Sequence, residues 1–470
     1  SFNNRDAWVQ HGGAWGGFDA AVYLRAGHTD GQRQIIAADA QTGLDALTGT
    51  SASLAPGPVN LERDAIDGRL DLARDQWRLR AGYQRRDIGT GAGVASALDP
   101  KGSNFGQRVS TDLTWNDTDL APELDVTAQA SYLHITEKSD LTLFPAGANL
   151  GSGAFPDGMI GNPYKWERHW RFNVSAAYNG LQSHKLRFGT GTQNDNLYRT
   201  RETKNFSTPV PGAYVPLGSV QDVSDTAPFM RPHSRRVNYV YAQDEWSFTQ
   251  DWYLTAGVRH DRYSDFGNTT NPRLALVWET AYNLTSKLLY GRAFRPPSFS
   301  ELYIINNPVG LGNPNLKPET NESVELAFAW QAASALQANL NLFRYQMKDI
   351  LRFVQNPDTS YTAQNAGRQH GQGLEVELVW EARSDLRLSG NYAQQRSIDE
   401  TTNQDAGNAP RNHIYARTDW RFVPHWTLDT QLNYIAGRKR EPSDTRPAIA
   451  DYHTVDLTLR SQLRDNDWDF

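Results

Sequence analysis

One pattern constrains this chain more than any other. Apolar and polar residues alternate with period two, in segments of about 10 to 14 residues, from one end to the other. Leu124, Val126, Ala128, Ala130 and Tyr132 share one side of such a segment, and Asp125, Thr127, Gln129 and Ser131 share the other. Trp252, Leu254, Ala256 and Val258 stand against Tyr253, Thr255, Gly257 and Arg259 in the same way. Trp426, Leu428, Leu432 and Tyr434 stand against Thr427, Asp429, Gln431 and Asn433. Successive strand residues point to opposite faces, so each segment is a strand with one apolar and one polar side. Strands of soluble domains also alternate, but they usually run about 5 to 6 residues. These are longer, and many end in Trp, Tyr or Phe. That combination fits a strand crossing a bilayer, with acyl chains on one face and a wet interior on the other. Leu124, Val126, Leu254, Val258, Leu428 and Leu432 are then expected to face lipid, and Asp125, Gln129, Arg259, Asp429 and Gln431 the lumen.

Helical membrane spans are excluded, because a helix needs about 20 consecutive apolar residues to cross. The longest apolar stretches here are four or five residues, as in Leu274–Trp278, and mean hydropathy is -0.64. Phe2-Asn3-Asn4-Arg5-Asp6 has no apolar core of a signal peptide, so the sequence is expected to begin inside a mature protein. There is no cysteine, which excludes disulfides and thiolate metal sites. With 14 Trp and 20 Tyr against 3 Met, the composition suits two aromatic girdles at a membrane interface. A net charge of -6 and the lack of a basic run speak against a nucleic-acid partner.

The connections alternate between short and long. Tight turns are expected near Gly16-Gly17, Asp75-Gln76, Gly180-Leu181-Gln182, Gln250-Asp251, Asn283, Arg383-Ser384, Pro424-His425 and Asn466. Long polar connections fall at 30–60, 88–104, 138–163, 196–234, 296–319, 398–410 and 438–450. Bacterial barrels have short periplasmic turns, long extracellular loops and an even number of strands. Following the alternation from 5–13 gives about nineteen full strands and the start of another at Trp468. The fold class is therefore all-β, a transmembrane antiparallel β-barrel. A parent of 22 strands is expected, with about 20 represented here, one missing before Ser1 and roughly two after Phe470.

Several motifs narrow this further. Tyr241-Ala-Gln-Asp-Glu-Trp246 leads to Tyr263-Ser-Asp-Phe266 and Asn271-Pro-Arg-Leu-Ala-Leu276. Leu289-Tyr-Gly-Arg-Ala-Phe-Arg-Pro-Pro-Ser298, Glu301-Leu-Tyr303 and Asn313-Pro-Asn-Leu-Lys-Pro-Glu319 follow. Asn365-Ala-Gly367 and Gln372-Gly-Leu-Glu-Val-Glu377 close the series. In order and spacing this succession resembles the barrel of the TonB-dependent outer-membrane receptors, of the siderophore-receptor type. Residues 235–382 carry the most specific stretches, and the whole of 1–470 is compatible with the barrel domain. Physically, Arg295-Pro296-Pro297 stiffens a strand exit and Asn313-Pro314-Asn315 is turn chemistry, so these residues are read as shaping a loop. The resemblance implies an N-terminal plug domain, absent from these residues, and a short box that contacts TonB. It implies a bacterial outer-membrane location, lipid as surroundings and a monomer.

No catalytic signature is present: there is no His-Glu-x-x-His, Gly-x-Ser-x-Gly or Walker-type loop. Neither a metal site nor a cofactor is expected, and no His is placed as an axial haem ligand. Binding is assigned to the long connections. The richest, 196–234, holds Tyr198, Arg199, Arg201, Lys204, Phe206, Tyr214, Phe229 and Arg231; Phe144, Phe155, Tyr164 and Trp166 form a second group and Phe299 with Tyr303 a third. Aromatics give flat apolar contact, and Arg can engage chelate oxygens through paired donors. A ferric siderophore is the expected cargo, with cobalamin, another metal chelate, haem or an oligosaccharide as alternatives. A passive porin and an outer-membrane enzyme remain the rival functions.

Overall fold

The computed structural model describes residues 2–461, apart from 152, 210–212, 308–309, 358–359, 443 and 445. Asn466, Trp468 and Phe470 lie outside the described residues. One antiparallel sheet dominates, and nineteen of its strands have ten residues or more. They are β1 Arg5–Trp15, β2 Phe18–Thr29, β3 Arg63–Arg74, β4 Trp77–Gly89, β5 Ser103–Ala121, β6 Leu124–Asp140 and β7 Met159–Tyr178. Then come β8 His184–Ser207, β9 His233–Thr249, β10 Trp252–Tyr263, β11 Gly267–Ala281, β12 Leu284–Arg295 and β13 Glu319–Ala333. The last six are β14 Leu336–Gln355, β15 Tyr361–Arg383, β16 Leu386–Asp399, β17 Asn412–Val423, β18 Trp426–Ala436 and β19 Tyr452–Ser461. Each pairs with the next, so the wall is a continuous meander. The sheet counts 22 strands because Thr142–Phe144, Val215–Asp222 and Gln404–Asp405 add short ribbons above it. No pairing joins β1 to β19 among the described residues.

The outward face is set by side chains with nothing over them. Trp170, Phe172 and Val174 of β7 are 46%, 51% and 50% exposed. Residues directly opposite across an antiparallel pair share a face. Tyr132 lies opposite Trp170, Ala130 opposite Phe172 and Ala128 opposite Val174. Val258 and Leu432 are also exposed outward. Aromatic rings gather at the short-turn end: Trp77 opposes Trp115, Trp252 stacks on Trp278 at 5.0 Å, and Trp246 stacks on His184 at 5.4 Å. At the other edge of the apolar band Tyr132 and Trp170 meet at 4.4 Å. These are the two girdles, and they bracket the membrane. Leu254 lies only one outward position from Trp252, so it sits beside the lower girdle; Val258 is the deeper residue of that strand.

The inward face is polar and internally paired. Gln129 Nε2 donates to Asp112 Oδ2 at 2.6 Å, Arg80 reaches the same carboxylate at 2.8 Å, and Arg259 meets Asp261 at 2.6 Å. Asp429 is buried between Arg417 and Arg460. The expected lumen residues Gln129, Arg259 and Asp429 thus belong to one set of networks lining the interior.

The strands run further than the hydropathy alternation indicates. Loop 196–234 shortens to 208–232, because β8 continues to Ser207, and loop 138–163 shortens to 141–158. The physical reason is that ladder hydrogen bonds continue above the membrane, where both faces can be polar and the period-two signal fades. Two helices lie in the long connections. α1, Ala40–Thr48, is capped by Asp39, whose carboxylate also accepts from the amide of Leu98 and so ties two loops together. α2, Phe299–Tyr303, begins at Ser298 in a capping box with Glu301.

Candidate functional site

The strand-exit motif builds a rigid corner. Arg295 donates from Nε to Glu319 at 2.7 Å and from both terminal nitrogens to Glu301 at 3.0 and 2.9 Å. Glu301 closes the cap of α2 on Ser298. Asn365 accepts from the amide of Lys317 and donates to the carbonyls of Lys317 and Asp349. Arg295, Glu301, Glu319 and Asn365 therefore shape the loop.

That corner presents Phe299 and Tyr303 to the interior. They pack on a buried cluster of Leu197, Phe229 and Met230, and Tyr303 stacks on His233 at 3.7 Å. Beneath it Arg235 is almost fully enclosed. Its Nε donates to Asp265 and its Nη2 to the carbonyl of Pro297, both at 2.7 Å. The rings of Tyr263, Phe266 and Phe299 surround its guanidinium at 5.8, 5.3 and 5.2 Å. A second buried charge, Lys204, donates to the carbonyls of Ala227 and Asn306 and lies 3.3 Å from Glu202. Burial of Glu202, in the stretch of β8 above the outer girdle, pushes its carboxyl up to about 7 despite that neighbour.

Above these groups the long connections enclose a cavity of about 510 Å³, lined by Val94, Leu143, Phe206, Phe353, Tyr361 and Glu202, among others. Tyr214 packs on the adjoining apolar cluster of Leu141, Leu143, Phe155, Met159 and Phe206. A larger cavity of about 1030 Å³ follows the inner wall lower down, past Tyr23, Arg69, Asp71, Arg80, Asp112 and Arg171. Together they outline a mouth and a channel.

Ten of the residues singled out from the sequence divide between two faces. Phe229, Phe299, Tyr303 and Tyr214 belong to the interior loop clusters, and Arg231 is exposed beside Met230. Tyr164, Trp166, Tyr198, Arg199 and Arg201 do not join them. Between β7 and β8 the register shifts: Trp166 opposes Arg199 while Glu167 opposes Leu197, leaving Tyr198 as the extra residue of a bulge. Trp166 and Tyr164 continue the outward row of Trp170, and Arg199 and Arg201, opposite them, share it. Leu197 keeps the inward row of Gln193 and Asp195, and past the bulge Thr200, Glu202 and Lys204 turn inward instead.

Lys204 and Phe206 were among the residues that the sequence offered in 196–234, whereas Phe353 and Tyr361 of the cavity wall, and Arg235, were not singled out. Nothing in the local pattern marks Phe353, Tyr361 or Arg235, since each is an ordinary strand residue; Arg235 is buried by what folds over it, while Phe353 and Tyr361 stay half exposed at the cavity. His28, Glu62 and Asp64 are close enough to hold a metal ion, but they are at the surface, and both ring nitrogens of His28 already face Asp64 and Asp30.

The family described as TonB dependent receptor-like, beta-barrel, matches residues 2–470. An iron-regulated outer membrane virulence protein of Vibrio cholerae is 25% identical over 245 residues, 48% of this chain and 37% of that protein. A vitamin B12 transporter of Photobacterium profundum is 29% identical over 252 residues, 48% of this chain and 38% of that one. The matched stretch is thus under two fifths of either relative. The crystal structure of a ferric enterobactin receptor mutant from Pseudomonas aeruginosa has the same fold, with a TM-score of 0.72 at 17% identity over 98% of this chain and 70% of that one. These proteins are named as receptors, transporters or outer-membrane proteins. With nearly its whole length matched and its wall, girdles and loop end arranged accordingly, this chain belongs to the TonB-dependent receptor β-barrel family of the bacterial outer membrane.

Proposed function

We propose that this barrel is the membrane part of an energy-coupled importer that captures a ferric siderophore at its loop end. The observation that carries the reading is the loop-enclosed cavity of about 510 Å³ above a polar-walled channel, in a chain of this family. Phe206, Phe353 and Tyr361 would contact the organic shell of a chelate, and Arg231, exposed at the mouth, would attract its charge. Iron is favoured because one relative is named as iron-regulated and one structural neighbour as a ferric enterobactin receptor. Cobalamin is the second reading, favoured by the vitamin B12 relative. A plug domain inside the barrel and coupling to TonB belong to the same reading. So does a closed wall: lipid cannot satisfy edge amides, so the free edges of β1 and β19 would pair with strands beyond the described residues.

The test is growth of a strain lacking the full-length gene on a panel of ferric chelates and cobalamin, with and without a functional TonB. One ferric chelate should support growth only when both the receptor and TonB are present, while binding to whole cells persists without TonB. Growth differences with cobalamin alone would transfer the assignment to that cargo. Uptake that continues without TonB would make the protein a passive porin.

A further inference from the structure

The cavity of about 510 Å³ at the loop end has a wall without cations. Apolar and aromatic side chains such as Leu143, Phe206 and Phe353 line it. Its polar side chains are Asn104, Ser139, Asn307, Tyr361 and one acid, Glu202; among the described residues of the wall none is Lys, Arg or His. The lower cavity differs, because Arg69, Arg80 and Arg171 stand in its wall. Arg231, exposed beside Met230, lies outside the wall of the upper one.

The buried cation behind this wall is committed to the protein itself. Lys204 precedes Phe206 by two residues on the inward row of β8, with its ammonium 5.3 Å from the Phe206 ring centre. An ammonium has three protons to donate. The carbonyls of Ala227 and Asn306 take two, at 3.0 and 3.3 Å, and a carboxyl oxygen of Glu202 faces the third at 3.3 Å. No donor is left for a ligand. Glu202 adds no positive charge either: burial holds its carboxyl above the ordinary range, and once ionised it is an anion. The Ser139 hydroxyl donates to Asn104 at 2.7 Å, so the polar side chains are partly matched among themselves. An anion enclosed here would lack a counter-charge, and an unpaired buried charge is costly.

Ferric chelates divide on this point. Three hydroxamates each give up one proton and cancel the charge of ferric iron. Three catecholates each give up two and leave the complex with three negative charges. Resting on the ferric-siderophore reading, we propose that the iron centre admitted to this cavity carries no net charge, and that the cargo is a tris-hydroxamate rather than a tris-catecholate. The rings of Phe206, Phe353 and Tyr361 pack on its methylene backbone. A peripheral carboxylate on such a chelate stays at the mouth, where Arg231 attracts it.

Full-length receptor, purified in detergent, is titrated with a panel of ferric tris-hydroxamates and ferric tris-catecholates, followed by quenching of tryptophan fluorescence. The panel includes a pair built on one tripodal backbone, so that charge varies with shape held constant. The tightest hydroxamate complex should bind on the order of a hundred-fold more tightly than the tightest catecholate complex, and the matched pair should differ in the same direction. Val94 is an exposed loop residue of the wall, so Val94→Arg adds a cation there; its folding is checked by heat-modified migration. It should narrow the preference about ten-fold by tightening the catecholate complex, and Val94→Gln should leave the preference unchanged. Catecholate binding as tight as hydroxamate binding, or tighter, would overturn the inference and leave the siderophore reading standing. So would a preference that Val94→Arg moves no more than Val94→Gln does, since charge would then not be its cause. If no ferric complex in the panel binds, the siderophore reading itself fails and the inference falls with it.

Discussion

The two faces of β7 and β8 are built from the same residue types and use them in opposite ways. On the inner face the enclosed charges are matched: Lys165 lies 2.9 Å from Glu137, and His169 lies 2.7 Å from Asp195. On the outer face, above the girdle, Arg168 and Arg199 lie over rings and face no carboxylate. A charge enclosed by protein must be neutralised by protein, because desolvation costs more than any ring contact returns. A charge at the headgroup level can leave its counter-charge to the lipid. On these two strands the enclosed charges are the paired ones.

The largest expected effect separates an enclosed arginine from an outer one. Arg235→Met would leave Asp265 and the carbonyl of Pro297 without their donor. Breaking such a buried pair costs about 3–5 kcal/mol, seen here as loosening of α2 and the start of β9 in hydrogen exchange. Arg199→Met loses one partly exposed ring contact, and about 0.5–1 kcal/mol at most. Similar losses for both would remove the distinction.

Within the membrane the faces should differ by a little less. Val258→Arg places a charge in the apolar band and should cost about 2–4 kcal/mol in unfolding from vesicles, whereas Leu254→Arg, beside the lower girdle, should cost less. Gln129→Lys should be tolerated, because Asp112 already waits 2.6 Å from the Gln129 amide. Gln129→Glu should be worse than Gln129→Lys, since it faces the same carboxylate. If Lys and Glu behave alike at 129, the inner network is not electrostatically organised.

These contrasts also show what was legible beforehand. The strands, girdles and tight turns follow from residue periodicity, because a side chain's face depends only on parity. Parity fails at one inserted residue. Tyr198 is such a residue, and without the pairing of β7 with β8 no reading of 196–206 could place Arg199 outside and Lys204 inside. The loop-end cavity was illegible for a related reason. Phe206, Phe353 and Tyr361 come together only because loops far apart in sequence fold over the same end. Arg295 was legible as loop-shaping from the two prolines that follow it, whereas Glu301 and Asn365 show that role only through the partners they bond, Arg295 and Ser298 for one and Lys317 for the other.

The buried charge of the loop end makes its packing pH-dependent. The folded carboxyl of Glu202 sits at about 7, above its ordinary 4.5, because burial disfavours the charged form. A group raised in this way contributes stability that is fully present below about 4.5 and is lost as pH climbs through 7. Loop 208–232 should accordingly resist protease better at pH 5 than at pH 8, by roughly 1–3 kcal/mol in its opening equilibrium. Glu202→Gln should flatten that difference. Greater protection at pH 8 would mean that Lys204 stabilises the ionised carboxylate after all.

The smallest expected effect is the sharpest test of which face meets the cargo. Arg199 and Arg201 were candidates for binding an anionic chelate because they sit among aromatics at the loop end. Their outward row puts the thickness of the wall between them and the cavity, and Arg201 is already paired with Asp222. Charges at that remove act on a cargo only through solvent, where salt screens them within about 8–10 Å. Arg199→Ala/Arg201→Ala should therefore change equilibrium binding of cargo by less than about two-fold, at low as well as physiological salt, when surface levels match the wild type. Arg231→Ala, at the mouth, should lower the association rate several-fold at low salt and much less at high salt, as steering requires. The measurement is chelate binding and uptake by whole cells across a salt series. A large, salt-sensitive loss in the double variant with none at Arg231 would mean that the cargo approaches along the outer flank, and the division between the two faces would have to be redrawn.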